Sequence, residues 1–193
     1  MIFFVRHGQT AGNRDGRLQG HVDTQLTDAG HEQARRLAEG LRAVPVLRVV
    51  TSPLRRAAET AAAIGRLHGL DVEVDDRLVE LHYGEWDQRR FQEISAQEWG
   101  AWRADPKFAP PGGESLVDVT ARVADFCDQH VTDEIVVAVS HVSPIKAAMC
   151  LALGVDERAS WRMHLDLASI TRVGRRADGA LYLASFNETA HLL

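Results

Sequence analysis

Three short apolar runs, each followed at once by polar residues, constrain the fold most. They are Ile2–Val5, Val46–Val50 and Ile135–Val139. Apolar runs of this length that end at turn signals predict buried strands. Segments with apolar residues at helical spacing lie between them, and no linker divides residues 1–193. This alternation predicts one α/β domain with a mainly parallel central sheet.

Capping residues predict where the helices begin and end. Thr27 is expected to cap one helix. Ser52 is expected to cap the next, with Pro53 at its first position and Gly69 as its left-handed stop. A third helix is expected over 115–130, and Ser143-Pro144 opens a fourth that runs to about residue 154.

The remaining strands are short. Val72–Val74 predicts a third strand of the sheet. Leu167–Val173 and Leu181–Phe186 flank the turn residues Ala177-Asp178-Gly179, which predicts a terminal hairpin. Phe91, Ile94, Trp99 and Trp102 indicate one or two short helices in a less regular region between residues 77 and 113.

Charge and composition exclude several classes of protein. The net charge is −5, so no global basic field favours nucleic acid, although a local arginine cluster can still bind phosphate. No stretch approaches the length of a membrane span. The chain begins a strand almost immediately, and its two cysteines do not form a disulfide framework. A cytoplasmic protein is therefore the expectation.

Polar groups follow three predicted strands. Arg6 and His7 end the first, Arg55 and Arg56 come shortly after the second, and His141 follows the third. In an open α/β sheet, ligands bind beyond the carboxyl ends of strands. Arginine matches phosphate geometry, and neutral histidine is a nucleophile near pH 7. The residues alone leave open a surface arginine with a half-buried histidine, and a solvated basic helix start.

The helix dipole disfavours arginine in a first turn, as at Arg55-Arg56, unless an external anion sits beside it. This favours a phosphoryl-transfer site in which His7 is the nucleophile. Glu80 and Glu85 both qualify as the acid of such a site, and their spacing alone does not choose between them.

Six segments in order carry a resemblance to a known family. They are Arg6-His7-Gly8 with Asn13, residues 20–30, Ser52-Pro53-Leu54-Arg55-Arg56-Ala57, Leu78 to Trp86, Pro111 to Ser115, and Ser140-His141. Together they resemble the histidine phosphatase superfamily, whose fold is called phosphoglycerate mutase-like. The resemblance covers most of the chain. It implies a three-layer α/β/α architecture with a small lid insertion.

The resemblance also assigns roles. It implies Arg56 rather than Arg55 as a phosphate ligand, and Glu80 rather than Glu85 as proton donor. The implied catalytic set is Arg6, His7, Arg56, Glu80 and His141. The implied phosphate- and substrate-binding set is Arg6, Gly8, Asn13, Gln19, Gly20, Arg56, Tyr83, His141 and Val142.

The expected chemistry needs no metal and no cofactor, because arginines and a histidine supply the charge that phosphoryl transfer requires. His7 attacks phosphorus, and Glu80 protonates the leaving alkoxide, since a phosphate dianion nearby favours the protonated carboxyl. Glu80 then activates the water that hydrolyses the phosphohistidine. The expected partner is a small phosphorylated metabolite.

The same site serves phosphatases and cofactor-dependent phosphoglycerate mutases. The interval from Asp87 to Pro111 is short and aromatic, without the longer basic insertion usual in mutases, so it favours a phosphatase similar to the α-ribazole phosphatase branch. A non-catalytic phospho-ligand binding module is a third reading, disfavoured because His7 and Glu80 are both present.

Two positions depart from the family pattern. Val142 stands where glycine usually follows the second histidine, and Asp87-Gln88 stands where Glu-Gly usually follows the tryptophan. Both positions are expected near the pocket, so they leave the identity of the substrate undetermined. Trp161 and Met163 suit either a homodimer surface or the core, so the oligomeric state also stays open.

Overall fold

A six-stranded mixed sheet forms the centre of the computed structural model, which describes residues 1–193. The strands are β1 Ile2–Arg6, β2 Val46–Thr51, β3 Val72–Val74, β4 Ile135–Ser140, β5 Ile170–Arg175 and β6 Leu181–Glu188. Their order is β3-β2-β4-β1-β5-β6. Strands β3, β2, β4 and β1 pair in parallel, and β5 and β6 pair antiparallel as the expected hairpin. The predicted α/β fold is confirmed.

Helices cover both faces of the sheet. The α-helices of the chain are α1 Ala11–Arg14, α2 Asp28–Gly40, α3 Arg55–His68, α4 Ala96–Ala104, α5 Leu116–His130 and α6 Val142–Leu153. Helices α2 and α3 pack on one face, and α5 and α6 pack on the other. None of these helices is long and apolar enough to cross a bilayer.

The side chains of β1 show how the core divides. Phe3 and Val5 join the cluster under α2 and α3, whereas Ile2 and Phe4 join the cluster under α5 and α6. Successive side chains of a strand point to opposite faces, and both faces of a central parallel strand are buried. This explains why β1 is a continuous apolar run rather than an alternating one.

Most predicted helix boundaries are confirmed. Thr27 caps α2 by accepting a hydrogen bond from the backbone N–H of Gly30, and Gly69 ends α3 in the left-handed conformation at φ 67°. The left-handed Gly154 likewise ends α6, which begins one residue earlier than the expected Ser143.

The predicted start of α3 is wrong. The helix begins at Arg55, with Leu54 at the capping position, and not at Ser52-Pro53. The backbone of Ser52 is still paired with the sheet, donating to the carbonyl of Val139 at 3.0 Å. Its hydroxyl contacts His141 at 2.8 Å. Ser52 therefore belongs to the edge of the sheet and to the site beyond it.

Residues 87–111, hereafter the lid segment, lie over the carboxyl edge of the sheet. They contain a short 3₁₀ turn at Phe91–Glu93 and helix α4, which matches the expected short helices. Trp102 is buried and stacks on Trp99 at a ring-centroid distance of 5.5 Å. Trp102 also lies edge-on to Tyr83 at a centroid distance of 5.8 Å, and both belong to the core under α5 and α6, so this contact joins the lid segment to that core.

Candidate active site

Strand register brings the two predicted histidines together. β1 and β4 are parallel neighbours in which Arg6 is paired with Ser140. His7 and His141 are the next residues along each strand, so both leave the sheet side by side. Their ring centroids are 5.1 Å apart, and both side chains are buried. This position is the carboxyl edge of the sheet, where α/β folds bind their ligands.

The hydrogen bond of His7 defines its reactive nitrogen. Nδ1 of His7 lies 2.7 Å from the carbonyl oxygen of Gly8. A carbonyl oxygen only accepts, so Nδ1 carries the proton and Nε2 of the neutral ring keeps its lone pair. Burial first, and then the charges of Arg56 and Arg6, hold the pKa of His7 well below 6.5. His7 is thus kept neutral, as a nucleophile must be.

His141 has partners on both ring nitrogens. Nε of Arg56 donates to Nδ1 of His141 at 3.2 Å, so the proton of the neutral ring is on Nε2, which faces the hydroxyl oxygen of Ser52 at 2.8 Å. Burial, followed by the charge of Arg56, holds the pKa of His141 well below 6.5. His141 is therefore a neutral donor next to His7.

Arg56 is fully buried and fixes the loop that precedes α2. Its guanidinium donates to the carbonyl oxygens of Gln19, Gly20 and Val22 at 2.9 to 3.1 Å. The carboxylate of Asp87 accepts backbone N–H groups from the other side of this loop, those of Gly20, His21 and Val22. Asp87, at one of the two positions that depart from the family pattern, therefore helps to hold this loop in place.

Glu80 lies at the N-terminus of α6. Its carboxylate accepts the backbone N–H groups of Leu81 at 2.8 Å, and of Val142 and Ser143 at 3.1 Å each. The first N–H groups of a helix have no partner within the helix, so an acidic side chain there is stabilised. Glu80 is buried, whereas Glu85 is exposed.

These elements surround one cavity of about 190 Å³. Its lining includes seven of the predicted residues: Arg6, His7, Asn13, Gln19, Glu80, Tyr83 and Val142. Burial raises the pKa of Tyr83, which therefore stays a neutral phenol. Leu18, Phe91, Trp99, Trp102, Leu116 and Trp161 form the apolar wall.

Four predicted residues do not line the cavity: Gly8, Gly20, Arg56 and His141. The glycines allow close approach of backbone. A Cβ atom on Gly8 would lie 2.5 Å from the carbonyl oxygen of Gly30, and one on Gly20 would lie 3.0 Å from the carbonyl oxygen of Leu81. Arg55, to which the family resemblance does not assign a phosphate-binding role, is exposed, and its side chain pairs with Glu59 at 2.7 Å.

The cavity also contains polar residues that the sequence reasoning missed: Arg17, Ser143, Lys146 and Ser160. Lys146 had a usable signal, because it lies one helical turn after Val142 and residues four apart share a helix face. Arg17 lies in a loop, and Ser160 lies in a short 3₁₀ helix, Glu157–Arg162, and the sequence predicts the position of neither. Trp161 lines the cavity, and its ring centroid is 4.7 Å from that of Trp102.

The charged groups of the lining are three cations, Arg6, Arg17 and Lys146, and one carboxylate, Glu80. A positive cavity in a chain of net charge −5 favours an anionic ligand. No three His, Cys, Asp or Glu side chains are arranged to hold a metal ion.

Comparison with known proteins gives the family. The sequence model of the histidine phosphatase superfamily (branch 1) matches residues 2–189. The chain therefore belongs to this superfamily, as the sequence motifs predicted.

Two named relatives are similar to this chain over most of its length. The chain is 40% identical over 201 residues to a glucosyl-3-phosphoglycerate phosphatase of Mycolicibacterium vanbaalenii, across 92% of this chain and 86% of that protein. It is 37% identical over 198 residues to a bifunctional protein of Mycobacterium tuberculosis, across 99% of this chain and 54% of that protein. The chain thus spans about half the length of that relative.

Among solved structures, a phosphoserine phosphatase of Entamoeba histolytica in complex with 3-phosphoglyceric acid superposes with a TM-score of 0.90. It is 28% identical, and the match covers 100% of this chain and 98% of that one. The shared fold extends over the whole sheet and the lid segment.

Proposed function

We propose that the protein is a phosphatase that hydrolyses small-molecule phosphomonoesters through a phosphohistidine on His7. The observation that carries this proposal is the 2.7 Å contact between Nδ1 of His7 and the carbonyl oxygen of Gly8, which places the proton on Nδ1 and leaves the Nε2 lone pair at a positively charged cavity. The names of the relatives, glucosyl-3-phosphoglycerate phosphatase and phosphoserine phosphatase, support it.

In the first step, Nε2 of His7 attacks phosphorus while the bond from phosphorus to the ester oxygen breaks. Arg6 and Asn13, which line the cavity, bind the phosphoryl oxygens. The leaving alkoxide takes its proton from Glu80, at the same cavity. The products of this step are an alcohol and a phosphohistidine.

His141 and Arg56 assist from the next layer. The ring centroids of His7 and His141 are 5.1 Å apart, so a phosphoryl group on His7 comes within reach of His141. His141 would then exchange its bond to Ser52 for one to a phosphoryl oxygen. Arg56 contributes its positive charge and, by donating to Nδ1, keeps the Nε2 proton of His141 available for donation.

In the second step, water attacks the phosphohistidine and the bond from Nε2 to phosphorus breaks. Glu80 takes the water proton, which restores the protonated acid of the first step, and orthophosphate leaves.

The two core clusters share one sheet, which supports treating residues 1–193 as a single domain.

The test is steady-state release of inorganic phosphate in the presence of a chelator, for the wild type and His7→Ala. The panel contains a generic aryl phosphate and sugar, nucleotide and three-carbon phosphates. We expect chelator-resistant release by the wild type and none by His7→Ala. A rapid acid quench after mixing with ³²P-labelled substrate should also trap acid-labile label on the wild type only.

Two results would replace the proposal. Unchanged release by His7→Ala would exclude the phosphohistidine mechanism. Conversion of 3-phosphoglycerate to 2-phosphoglycerate without phosphate release, in the presence of bisphosphoglycerate, would identify a mutase.

A further inference from the structure

One cation of the cavity has no partner in the protein. Arg6 donates to the carbonyl oxygen of Leu165 at 2.5 Å, and Arg17 donates to the carbonyl oxygen of Gln88 at 2.8 Å. Lys146, half-buried in α6, lines the same cavity but makes neither a hydrogen bond nor a salt bridge. An ammonium group that is partly buried without a hydrogen-bond partner is costly unless a ligand supplies one, and Glu80 is the only negative charge that acts on it from within the cavity.

The charges around Lys146 indicate what that ligand is. The carboxylate of Glu80 is the only anion of the lining, and three backbone N–H groups already bind it. Arg6 and Asn13 are assigned to the phosphoryl group in the proposed reaction. Arg17 is tied to the carbonyl oxygen of Gln88, so Lys146 is the cation without a protein hydrogen bond and is available for a second anionic group on the same substrate.

Lysine is a rare residue type in this chain, and one of its two positions is in the cavity. The chain has only two lysines, Lys107 and Lys146, and uses arginine at its other basic positions. Lys107 is exposed in the lid segment, so Lys146 is the sole ammonium group in the cavity. An ammonium group is a compact charge with three rotatable donors, which suits a carboxylate whose orientation is not fixed in advance.

We infer that Lys146 is a specificity-determining residue that binds a carboxylate on the alcohol portion of the substrate. This inference rests on the proposed function. The substrates it selects are phosphomonoesters with a carboxylate a few bonds from the ester oxygen. The cavity that His7 and Lys146 share, about 190 Å³, favours a short skeleton between the two anionic groups, while a second cavity of about 510 Å³ adjoins it at Arg6, Asn13 and Arg17. Burial lowers the pKa of Lys146, and a bound carboxylate would restore it.

Two matched substrate pairs test the inference. 3-Phosphoglycerate and glycerol 3-phosphate differ in a carboxylate against a hydroxymethyl group, and phosphoserine and phosphoethanolamine differ in the presence of a carboxylate. For the wild type we expect a lower KM for the carboxylated member of each pair. In Lys146→Met, KM for that member should rise about tenfold to a hundredfold, the range of a charged hydrogen bond. KM for its partner should change less than about threefold.

Two variants serve as controls. Lys146→Arg keeps the charge and should restore most of the preference, and Lys107→Met, in the exposed lid position, should leave both pairs unchanged. The opposite result is that Lys146→Met loses the same activity toward both members of a pair and is inhibited less strongly by orthophosphate. That result would make Lys146 a phosphate ligand and overturn the inference.

A labelling experiment separates this inference from the proposed reaction. An amine-reactive acylating reagent followed by mass spectrometry measures the extent to which Lys146 and Lys107 are labelled in the same sample. 3-Phosphoglycerate should protect Lys146 at lower concentration than glycerol 3-phosphate does, even in His7→Ala, where no turnover is expected. Equal protection by the two would contradict the inference, and protection without phosphate release by the wild type would remove only the proposed function.

Discussion

Nε of Arg56 donates a 3.2 Å hydrogen bond to Nδ1 of His141, and the same guanidinium donates to three carbonyl oxygens of the loop at residues 19–22. One buried side chain thus fixes both the tautomer of a histidine and the path of a loop. These two tasks need the planar fork of arginine, which an ammonium group does not reproduce.

Arg56→Lys should therefore lose activity although it keeps the charge. We expect kcat/KM for an aryl phosphate to fall on the order of 10²-fold, and the free energy of unfolding to fall by about 3 kcal/mol as buried carbonyls lose their donors. Steady-state kinetics and urea unfolding measure the two effects. Arg55→Lys is the matched control, because Arg55 is exposed and pairs only with Glu59. Its unfolding free energy should change by less than about 1 kcal/mol, and equal losses in the two variants would contradict the assignment.

The buried histidines should make stability depend on pH. Their folded pKa values lie well below 6.5, so between those values and 6.5 the unfolded chain binds more protons. Stability is then fully present above pH 6.5 and falls as pH falls below it, by up to about 1.4 kcal/mol per pH unit for each histidine. Urea unfolding at a series of pH values measures the slope. His7→Asn should reduce it, and a slope that is the same in this variant would contradict the prediction.

Much of the fold was predictable from the sequence because its signals are local. The apolar runs of β1, β2 and β4 gave the buried strands, and Thr27, Gly69 and Gly154 gave helix boundaries through their capping chemistry. Ser52 was misassigned for a non-local reason. Its local pattern favours a helix cap, but pairing with Val139 and contact with His141 keep it at the sheet edge.

The site was predictable in part. His7, His141 and Glu80 could be chosen because they follow strands or match a family segment. The way in which Arg56 joins His141 to the loop depends on atoms from three separated segments, and no spacing along the chain encodes it. Lys146 lies outside the family segments, which end at His141, and only its position one helical turn after Val142 indicates that it faces the cavity.

Gly8 should not tolerate a side chain. A Cβ atom there would lie 2.5 Å from the carbonyl oxygen of Gly30, which is backbone and has little freedom to move. Gly8→Ala should lower the free energy of unfolding by about 1 to 3 kcal/mol and displace the backbone next to His7. The control is Gly100→Ala in α4, where nothing lies within 4 Å. That change should stabilise by up to about 1 kcal/mol, because alanine favours helix. Equal melting temperatures for the two variants would refute the packing argument.

Glu80→Gln should separate proton transfer from structure. The amide oxygen still accepts the N–H groups of Leu81 and Ser143, which both donate to Oε1, but the amide loses the N–H of Val142 at Oε2 and cannot donate the proton of a carboxyl group. With an alkyl phosphate, kcat should fall about 10²- to 10⁴-fold. With p-nitrophenyl phosphate the loss in the first step should be much smaller, since its leaving group needs no proton. Stopped-flow measurement of the p-nitrophenolate burst isolates that step, and equal losses for both esters would argue against Glu80 as the acid.

Val142 should limit the size of the alcohol portion of the substrate. It lines the cavity, half-buried, at the first position of α6, and the family pattern has glycine there. Val142→Gly keeps the backbone N–H that donates to Glu80 at 3.1 Å but removes three carbon atoms from the wall. We expect kcat/KM for a bulky ester such as naphthyl phosphate to rise about tenfold, the value of a methylene-sized change in a pocket, while that for a three-carbon phosphate stays within about threefold. Glycine in the first turn should cost up to about 1 kcal/mol of stability, which urea unfolding would detect. A uniform change across small and bulky esters would mean that Val142 acts through the position of Glu80 and not through the shape of the cavity.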